Sequence, residues 1–150
     1  GLHSSCSIIP NPEYKKRQEA SLREAWLMSP NCLSNAAIEA CYTYGDEWVD
    51  QQSAYLTENA EFIIHYLAGH APEIKPVKPE GTYLMWLDCR ELGMGNEALH
   101  DFMIRKAKLG LNDGCSFGRS LNGFMRLNAA CPRATLEQAM RQLEAAVNSL

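Results

Sequence analysis

Residues 82–88, TYLMWLD, constrain the fold more than any other segment, because they are apolar at nearly every position. A strand with one solvent-exposed face alternates apolar and polar residues. An almost continuous apolar run is instead typical of a strand covered on both faces. The rest of the chain must therefore supply elements that cover this strand on two sides.

Helical patterns occupy most of the first half of the chain. Asn11 can cap a helix and the proline after it fits the first helical position, so we predict a helix over residues 12–28. The Ser-Pro-Asn sequence at 29–31 should end this helix. A second helix is predicted over 34–44 and a long third helix over 46–69, separated by a glycine that suits a helix end.

The third helix carries apolar residues at helical spacing, which predicts one buried stripe along it. The residues of this stripe are Val49, Leu56, Ile63, Ile64 and Leu67. Because the helix is long for a globular protein, we expect it to span the domain or to bridge to another one.

Shorter elements follow, and together they predict an α/β fold. Thr135 and Gln138 are expected to form a capping box that opens a last, amphipathic helix. The other predicted elements are strands over 6–10, 109–112 and 124–129, a helix over 96–108, and a glycine-bearing loop over 113–118. The sum is a layered domain in which helices cover a small sheet.

Charge and hydropathy exclude several kinds of partner. The formal net charge of −4 argues against nucleic acid, because phosphate binding depends on clustered Lys and Arg. No apolar run approaches the roughly 20 residues of a membrane span, so no membrane partner is expected. The first residues have neither a basic start nor an apolar signal stretch, so we expect a cytoplasmic protein.

The six cysteines are scattered along the chain and include no C-x-x-C pair. In a chain of this length that distribution predicts reduced thiols that are mostly buried as small apolar groups. The spacing of the cysteines and histidines matches no metal-ligand pattern, so no metal site is predicted.

Arg126 is the most informative single residue, because it lies in the apolar segment FMRLN at 124–128. Strand alternation places it on one face with Phe124 and Asn128, while the two residues between them point the other way. A guanidinium in such a strand is costly without a partner. It either pairs with an internal Asp or Glu, which the pattern alone favours, or captures an anion with its planar fork.

Two other motifs carry weaker indications of chemistry. Residues 93–98, GMGNEA, match a dinucleotide fingerprint, but four residues separate them from the strand, and a plain turn before a helix explains them better. Residues 114–118 are rich enough in glycine to approach a ligand closely, although a turn explains them equally well. Cys115 and Ser116 in this loop have no histidine partner that the sequence places beside them.

Several segments, in the same order, resemble one known family: pyridoxal 5'-phosphate (PLP) enzymes of fold type I, in the cystathionine β-lyase-like subgroup of the class I/II aminotransferases. The resemblance covers essentially the whole chain. The segments are SIIPN at 7–11, YGDEW at 44–48 with Asn59 after it, PEGTYLMWLD at 79–88, GFMRLN at 123–128 and CPR at 131–133.

The resemblance implies a function for Arg126 and a PLP cofactor in the parent enzyme. Arg126 would bind the α-carboxylate of an amino-acid substrate, and the parent would be a homodimeric carbon–sulfur β-lyase. Residues 1–11 would end the large PLP-binding domain, and residues 12–150 would form linker helices and the small C-terminal domain. Gly1 and Leu2 resemble the last residues of the lysine motif K-x-F-N-x-A-G-L, so the Schiff-base lysine is expected upstream of Gly1.

Two alternatives remain open at this point. A true aminotransferase would share the fold, the arginine and the lysine with a lyase. A non-catalytic binding module is the other alternative, because no lysine of this chain has the sequence context expected of the Schiff-base lysine. For the same reason, the chain alone is expected to be inactive and not to bind PLP.

Overall fold

A computed structural model describes residues 2, 5–27 and 31–150. The chain divides into two compact units, Gly1–Gln51 and Gln52–Leu150, with the boundary inside the long helix. The first helix ends at Glu24, so its predicted extension to Met28 is wrong. The helix-breaking sequence predicted at 29–31 lies mostly outside the described residues.

The first unit contains two complete helices, α1 at Pro12–Glu24 and α2 at Cys32–Tyr44. Asparagine caps both of them. The Asn11 side chain accepts hydrogen bonds from the amides of the second and third residues after it, at 2.9 and 3.3 Å, and Asn31 accepts one from Leu33 N at 2.8 Å. The predicted start of the first helix is confirmed, with proline at its first position.

The long helix α3, Asp46–His70, begins directly after Gly45 and crosses from the first unit into the second. Its predicted stripe is buried at Ile63 and Leu67 and half-buried at Leu56 and Ile64. Val49, in the first unit, is 52% exposed, so the buried stripe does not extend to the beginning of the helix.

The strand predicted at residues 6–10 is wrong. This segment has no strand pairing in the structure, and Ile8 is 92% exposed. A strand needs a neighbour to satisfy its backbone groups, and no other strand among the described residues pairs with it.

The second unit is built on a four-stranded sheet in which every neighbouring pair is antiparallel. The strand order is β1-β2-β4-β3. The strands are β1 at Lys75–Pro76, β2 at Leu84–Asp88, β3 at Asn112–Asp113 and β4 at Phe124–Asn128. With the helices, this sheet confirms the predicted α/β class.

Three helices pack against one face of the sheet and form the core with it. They are the second part of α3, α4 at Asn96–Arg105 and α5 at Arg133–Val147. The sheet contributes alternate residues of its two central strands, Met85 and Leu87 from one and Met125 and Leu127 from the other, which are at most 3% exposed.

The opposite face of the sheet is only partly covered by the described residues. Leu84, Trp86 and Asp88 are half-buried on this face of β2, as is Arg126 on β4. The expectation that this strand is covered on both faces is therefore wrong for the described part of the chain, since only one face lies against the helical core.

Two smaller expectations also differ from the structure. The helix α5 starts at Arg133 with Pro132 at its cap position and has no side-chain cap, so the predicted capping box at Thr135 is wrong. The six cysteines are free, as predicted, but they are not mostly buried. Three of them, all in the first unit, are exposed, and only Cys89 is buried.

Candidate carboxylate-binding site

Arg126 occupies the middle of β4 and has a cross-strand neighbour on each side. In the register of the sheet it stands opposite Trp86 of β2 and opposite Asn112 of β3. Residues directly opposite in antiparallel strands point to the same face, so all three side chains lie on the face away from the helical core. The face predicted for Arg126 is therefore the observed one.

Two side chains contact the Arg126 guanidinium. Nη2 donates a hydrogen bond to Asn112 Oδ1 at 3.0 Å. The central carbon of the guanidinium lies 4.2 Å from the centroid of the Phe117 ring, a cation–π arrangement. Trp86 in turn meets Phe117 edge-to-face, with ring centroids 5.4 Å apart and an interplanar angle of 85°.

Arg126 has no carboxylate partner in the described part of the chain. No Asp or Glu oxygen there forms a salt bridge with it. Its Nε is buried and has no hydrogen-bond acceptor. The internal ion pair considered from the sequence is therefore not formed among these residues, and the positive charge of Arg126 is not compensated by them.

Arg90 lies near the same sheet face and shows what a paired arginine looks like in this fold. It donates from Nε to Asp88 Oδ1 at 2.8 Å and from Nη2 to Asp88 Oδ2 at 2.7 Å, and it stacks over the Phe124 ring at 4.9 Å. The hydrogen bonds from Arg90 lower the pKa of Asp88, against the opposing effect of partial burial. Arg90 is thus occupied by a carboxylate of its own chain.

The position of Phe117 is set by the turn that carries it, the 3₁₀ turn Gly114–Phe117. Asp113 caps the turn by accepting a hydrogen bond from Cys115 N at 2.9 Å, and Asn96 Nδ2 holds the same carboxylate at 2.7 Å. A Cβ atom at Gly114 would lie 2.6 Å from the backbone oxygen of Phe124. The glycine therefore permits a close approach of the turn to β4, within this chain rather than around a ligand.

Among the described residues, neither candidate nucleophile of this loop has a hydrogen-bonded base. Cys115 Sγ lies 3.2 Å from Asn96 Oδ1, and Ser116 Oγ donates to the backbone oxygen of Asp113 at 2.6 Å. These partners are amide or carbonyl oxygens that cannot take the proton in a nucleophilic attack. The two residues stabilise the turn.

The glycines at 93–98 form the plain turn that the sequence favoured. Gly93, at φ +68°, ends the 3₁₀ turn Arg90–Leu92, and Gly95 stands at the N-terminal cap position of α4. The sheet that precedes them is antiparallel, whereas a dinucleotide-binding fold needs parallel strands with crossover helices.

Sequence reasoning found Arg126 but missed the two side chains that contact its guanidinium, Asn112 and Phe117, and the contact of Trp86 with Phe117. The sequence predicts Asn112 at the end of a short strand and Phe117 in a loop, and neither prediction brings the residue to Arg126. A polar residue after the two leucines of residues 109–111 was a weak signal of a functional side chain. Only the register of β3 against β4 places Asn112 opposite Arg126.

The described residues lack two other kinds of functional element. They contain no group of three or more His, Cys, Asp or Glu side chains that could hold a metal ion. Among the helices of the same residues, none is long and apolar enough to cross a membrane.

Comparison with known proteins places this geometry in a family, although no family model matches the chain. Cystathionine β-lyase PatB of Bacillus subtilis is 36% identical over 148 residues, which is 99% of this chain and 38% of that protein. Cystalysin of Treponema denticola, whose crystal structure contains a PLP cofactor, superposes with a TM-score of 0.89 and 32% identity over 95% of this chain. A PLP-bound putative aminotransferase from Clostridium difficile superposes with a TM-score of 0.88 and 37% identity over 94% of this chain. Each structure is covered over 36% of its length.

The small antiparallel sheet with its covering helices is the C-terminal domain of fold-type I PLP-dependent enzymes. Within that class, the chain is homologous to the cystathionine β-lyases and related PLP-dependent aminotransferases, and corresponds to a C-terminal part of them. It spans little more than a third of the length of these relatives.

Proposed function

We propose that this chain is the C-terminal part of a PLP-dependent carbon–sulfur β-lyase, and that Arg126 binds the α-carboxylate of its amino-acid substrate. The observation that carries the proposal is the guanidinium of Arg126 on the sheet face away from the core, which forms no salt bridge among the described residues. A planar fork beside an aromatic ring suits bidentate capture of a substrate carboxylate.

The charges near Arg126 support binding of an anion at this place. The other arginine near this face, Arg90, already holds Asp88, so it offers no comparable fork. An incoming carboxylate would supply the negative partner that Arg126 does not have among the described residues. Capture of the carboxylate would orient the rest of the substrate, since a bidentate contact fixes both position and direction.

The described residues fit the substrate rather than the cofactor. All six lysines of the chain are solvent-exposed, and the side chains that contact Arg126 are an amide and an aromatic ring. We therefore assign no residue of this chain to PLP, and we propose that other parts of the enzyme hold it. When bound, PLP supplies an electron sink for the carbanionic character that develops at the substrate Cα.

The proposed reaction is a β-elimination. The Cα–H and Cβ–S bonds break, a thiol leaves, and the remaining three-carbon unit hydrolyses to pyruvate and ammonia. The contribution of Arg126 is orientation, because the Cα–H bond must be held in one direction while the proton is removed. Proton transfer is not assigned to any residue of this chain, because no lysine in it has the context expected of the family's lysine.

The test is Arg126→Ala in the full-length, PLP-loaded enzyme, with L-cystathionine as substrate. Loss of a charge-assisted bidentate contact should raise KM on the order of 100-fold. Steady-state kinetics of pyruvate release, without any keto acid added, would measure this value and report lyase activity directly.

The matched control is Arg90→Ala, which removes a guanidinium near the same sheet face that is already paired with Asp88. We expect its KM for L-cystathionine to stay within a few-fold of the parent value. An unchanged KM in Arg126→Ala would contradict the proposed role of Arg126.

An aminotransferase is the second candidate, because the putative aminotransferase of Clostridium difficile is as similar to this chain as the lyase relatives are. The carboxylate contact of Arg126 would serve both reactions equally. Pyruvate release from L-cystathionine without a keto-acid acceptor supports the lyase. Amino-group transfer that occurs only with an acceptor supports the aminotransferase.

The organisation of the parent enzyme is proposed from the family resemblance. Residues 1–11 would end the large PLP-binding domain, and residues 12–150 would form linker helices and the small domain. The parent would be a cytoplasmic homodimer. Sedimentation of the full-length enzyme at equilibrium would test the dimer.

A further inference from the structure

We propose that Asn112 is a positioning residue, which holds the Arg126 guanidinium in the orientation that receives the substrate carboxylate. This inference rests on the proposed function of Arg126. Asn112 does not have to touch the substrate. Its role follows from its contact with the arginine and from its fixed place in the sheet.

The contacts of Arg126 restrict two different motions of the guanidinium. The Phe117 ring, with its centroid 4.2 Å from the guanidinium carbon, restrains displacement of the group toward the side on which the ring lies. The hydrogen bond from Nη2 to Asn112 Oδ1, at 3.0 Å, restrains rotation of the fork. Together the two contacts keep the fork preorganised, although the arginine side chain itself has many rotamers.

Asn112 is itself held in place by the backbone. It belongs to β3 and stands directly opposite Arg126 in the register of the sheet. The next residue, Asp113, caps the turn that carries Phe117, through its hydrogen bond with Cys115 N. One short segment therefore positions both contacts of the guanidinium.

The chemical identity of the side chain at 112 matters, because an amide oxygen and a carboxylate oxygen would act differently on Arg126. An amide oxygen accepts one hydrogen bond and leaves the charge of the guanidinium available. A carboxylate in the same place would neutralise the charge and compete with the substrate. The pair formed by Arg90 and Asp88, with two hydrogen bonds of 2.8 and 2.7 Å, shows this second outcome in the same molecule.

The test uses Asn112→Asp and Asn112→Ala in the full-length, PLP-loaded enzyme. Asn112→Asp keeps the shape and introduces the competing charge, and Asn112→Ala removes the acceptor. The matched control is Asn122→Asp, because Asn122 is exposed and the hydrogen bond of its side chain among the described residues is to Cys115 Sγ, at 3.8 Å, and not to Arg126. Arg126→Ala is measured in parallel.

Two readouts separate positioning from a general structural role. The first is the division of the effect between KM and kcat for L-cystathionine. The second requires no turnover: the rise in Tm that sodium propionate, a carboxylate without an amino group, produces in each variant. A structural role would lower the Tm of the variant without propionate, whereas a positioning role lowers the response to the carboxylate.

We expect Asn112→Ala to raise KM about 10-fold with kcat nearly unchanged, as for loss of one hydrogen bond to a charged group. Asn112→Asp should raise KM on the order of 100-fold and abolish the propionate response, because the fork is then occupied. Asn122→Asp should match the parent in both readouts.

The outcomes distinguish this inference from the proposed function. If Arg126→Ala raises KM while both Asn112 variants keep the KM and the propionate response of the parent, Asn112 has no positioning role and the function of Arg126 stands. If Arg126→Ala also leaves KM unchanged, the proposed function fails and this inference fails with it.

Discussion

Residues 52–150 and residues 1–51 differ sharply in what they bury. Every buried apolar side chain of the described chain lies in the second unit. In the described part of the first unit, Ser34 is the one buried residue. The second unit therefore has a hydrophobic core that can stabilise it, and the described part of the first unit does not.

The helices of the first unit form although their apolar residues are exposed. Large side chains that face solvent there include Ile8, Trp26, Leu33, Tyr42, Tyr44 and Trp48. Caps such as Asn11 and Asn31 and the local sequence specify where these helices start. In general, short helices gain most of their stability from packing of an apolar face. In this chain, the caps that specify where a helix starts occur in a unit whose described helices bury almost no apolar surface.

Thiol chemistry gives the largest expected difference between the two units. Cys6, Cys32 and Cys41 of the first unit are exposed, whereas Cys89 of the second is 1% exposed. Burial raises the pKa of Cys89 from its ordinary value of 9.0 to about 12, with a smaller contribution from the Asp88 carboxylate. Since the thiolate is the reactive form, Cys89 should be alkylated about 1000-fold more slowly than the exposed thiols.

Iodoacetamide labelling of the native chain at pH 8, followed by peptide mass spectrometry, would measure these rates. The same labelling in strong denaturant serves as the control, because all six thiols should then react alike. If Cys89 in the native chain were labelled as fast as Cys32, the predicted difference in thiol reactivity between the two units would be contradicted. That result would show that the second unit has no protected core.

A matched pair of leucine truncations should give the next largest difference. Leu143 in α5 is fully buried, whereas Leu33 in α2 is 65% exposed. Leu143→Ala should lower the free energy of unfolding by about 2–5 kcal/mol, through lost burial and the cavity that remains. Leu33→Ala should change it by less than about 0.5 kcal/mol, as is usual for exposed positions.

Urea unfolding followed by far-ultraviolet circular dichroism measures both variants on one scale. Similar losses for the two substitutions would contradict the view that the core is confined to residues 52–150. A larger loss for Leu33→Ala would place the principal stabilising contacts in the first unit instead.

The same contrast explains which parts of the fold the sequence predicted. The face of Arg126 was predicted correctly because strand alternation is a local property of residues 124–128. The helix starting at Pro12 was predicted because its cap is local too. The burial of Val49 was predicted wrongly, because helical spacing identifies an apolar face but cannot show whether anything in the chain covers it.

The candidate site was predictable only in its central residue. An arginine in an apolar strand is visible in the sequence, and the family resemblance suggested its role. Asn112 and Phe117 reach it through the pairing of β3 with β4 and through the turn at Gly114. Pairing register and close backbone approach depend on residues distant in sequence, so composition and periodicity do not reveal them.

The smallest expected effect comes from a polar contact that joins α3 to α5 inside the second unit. Tyr66 Oη donates to Glu144 Oε2 at 2.5 Å, and His70 Nδ1 lies 3.1 Å from Glu144 Oε1. The hydrogen bond from Tyr66 is the main cause that lowers the pKa of Glu144 from its ordinary value of 4.5, and His70 contributes less. A carboxylate whose pKa is lowered by folding adds stability above its unfolded pKa and loses it as pH falls through the folded pKa.

Tyr66→Phe should therefore lower the urea midpoint slightly at pH 7, and the difference from the parent should shrink as the pH falls below 4.5, the ordinary pKa of Glu144. Tyr42→Phe is the matched control, because Tyr42 of the first unit is 78% exposed and its loss of a hydroxyl should leave the midpoint unchanged at every pH. A difference for Tyr66→Phe that persists undiminished in acid would show that its hydroxyl does not act through the Glu144 carboxylate. An effect of Tyr42→Phe as large as that of Tyr66→Phe would instead show that polar contacts stabilise the two units alike, whatever their difference in apolar burial.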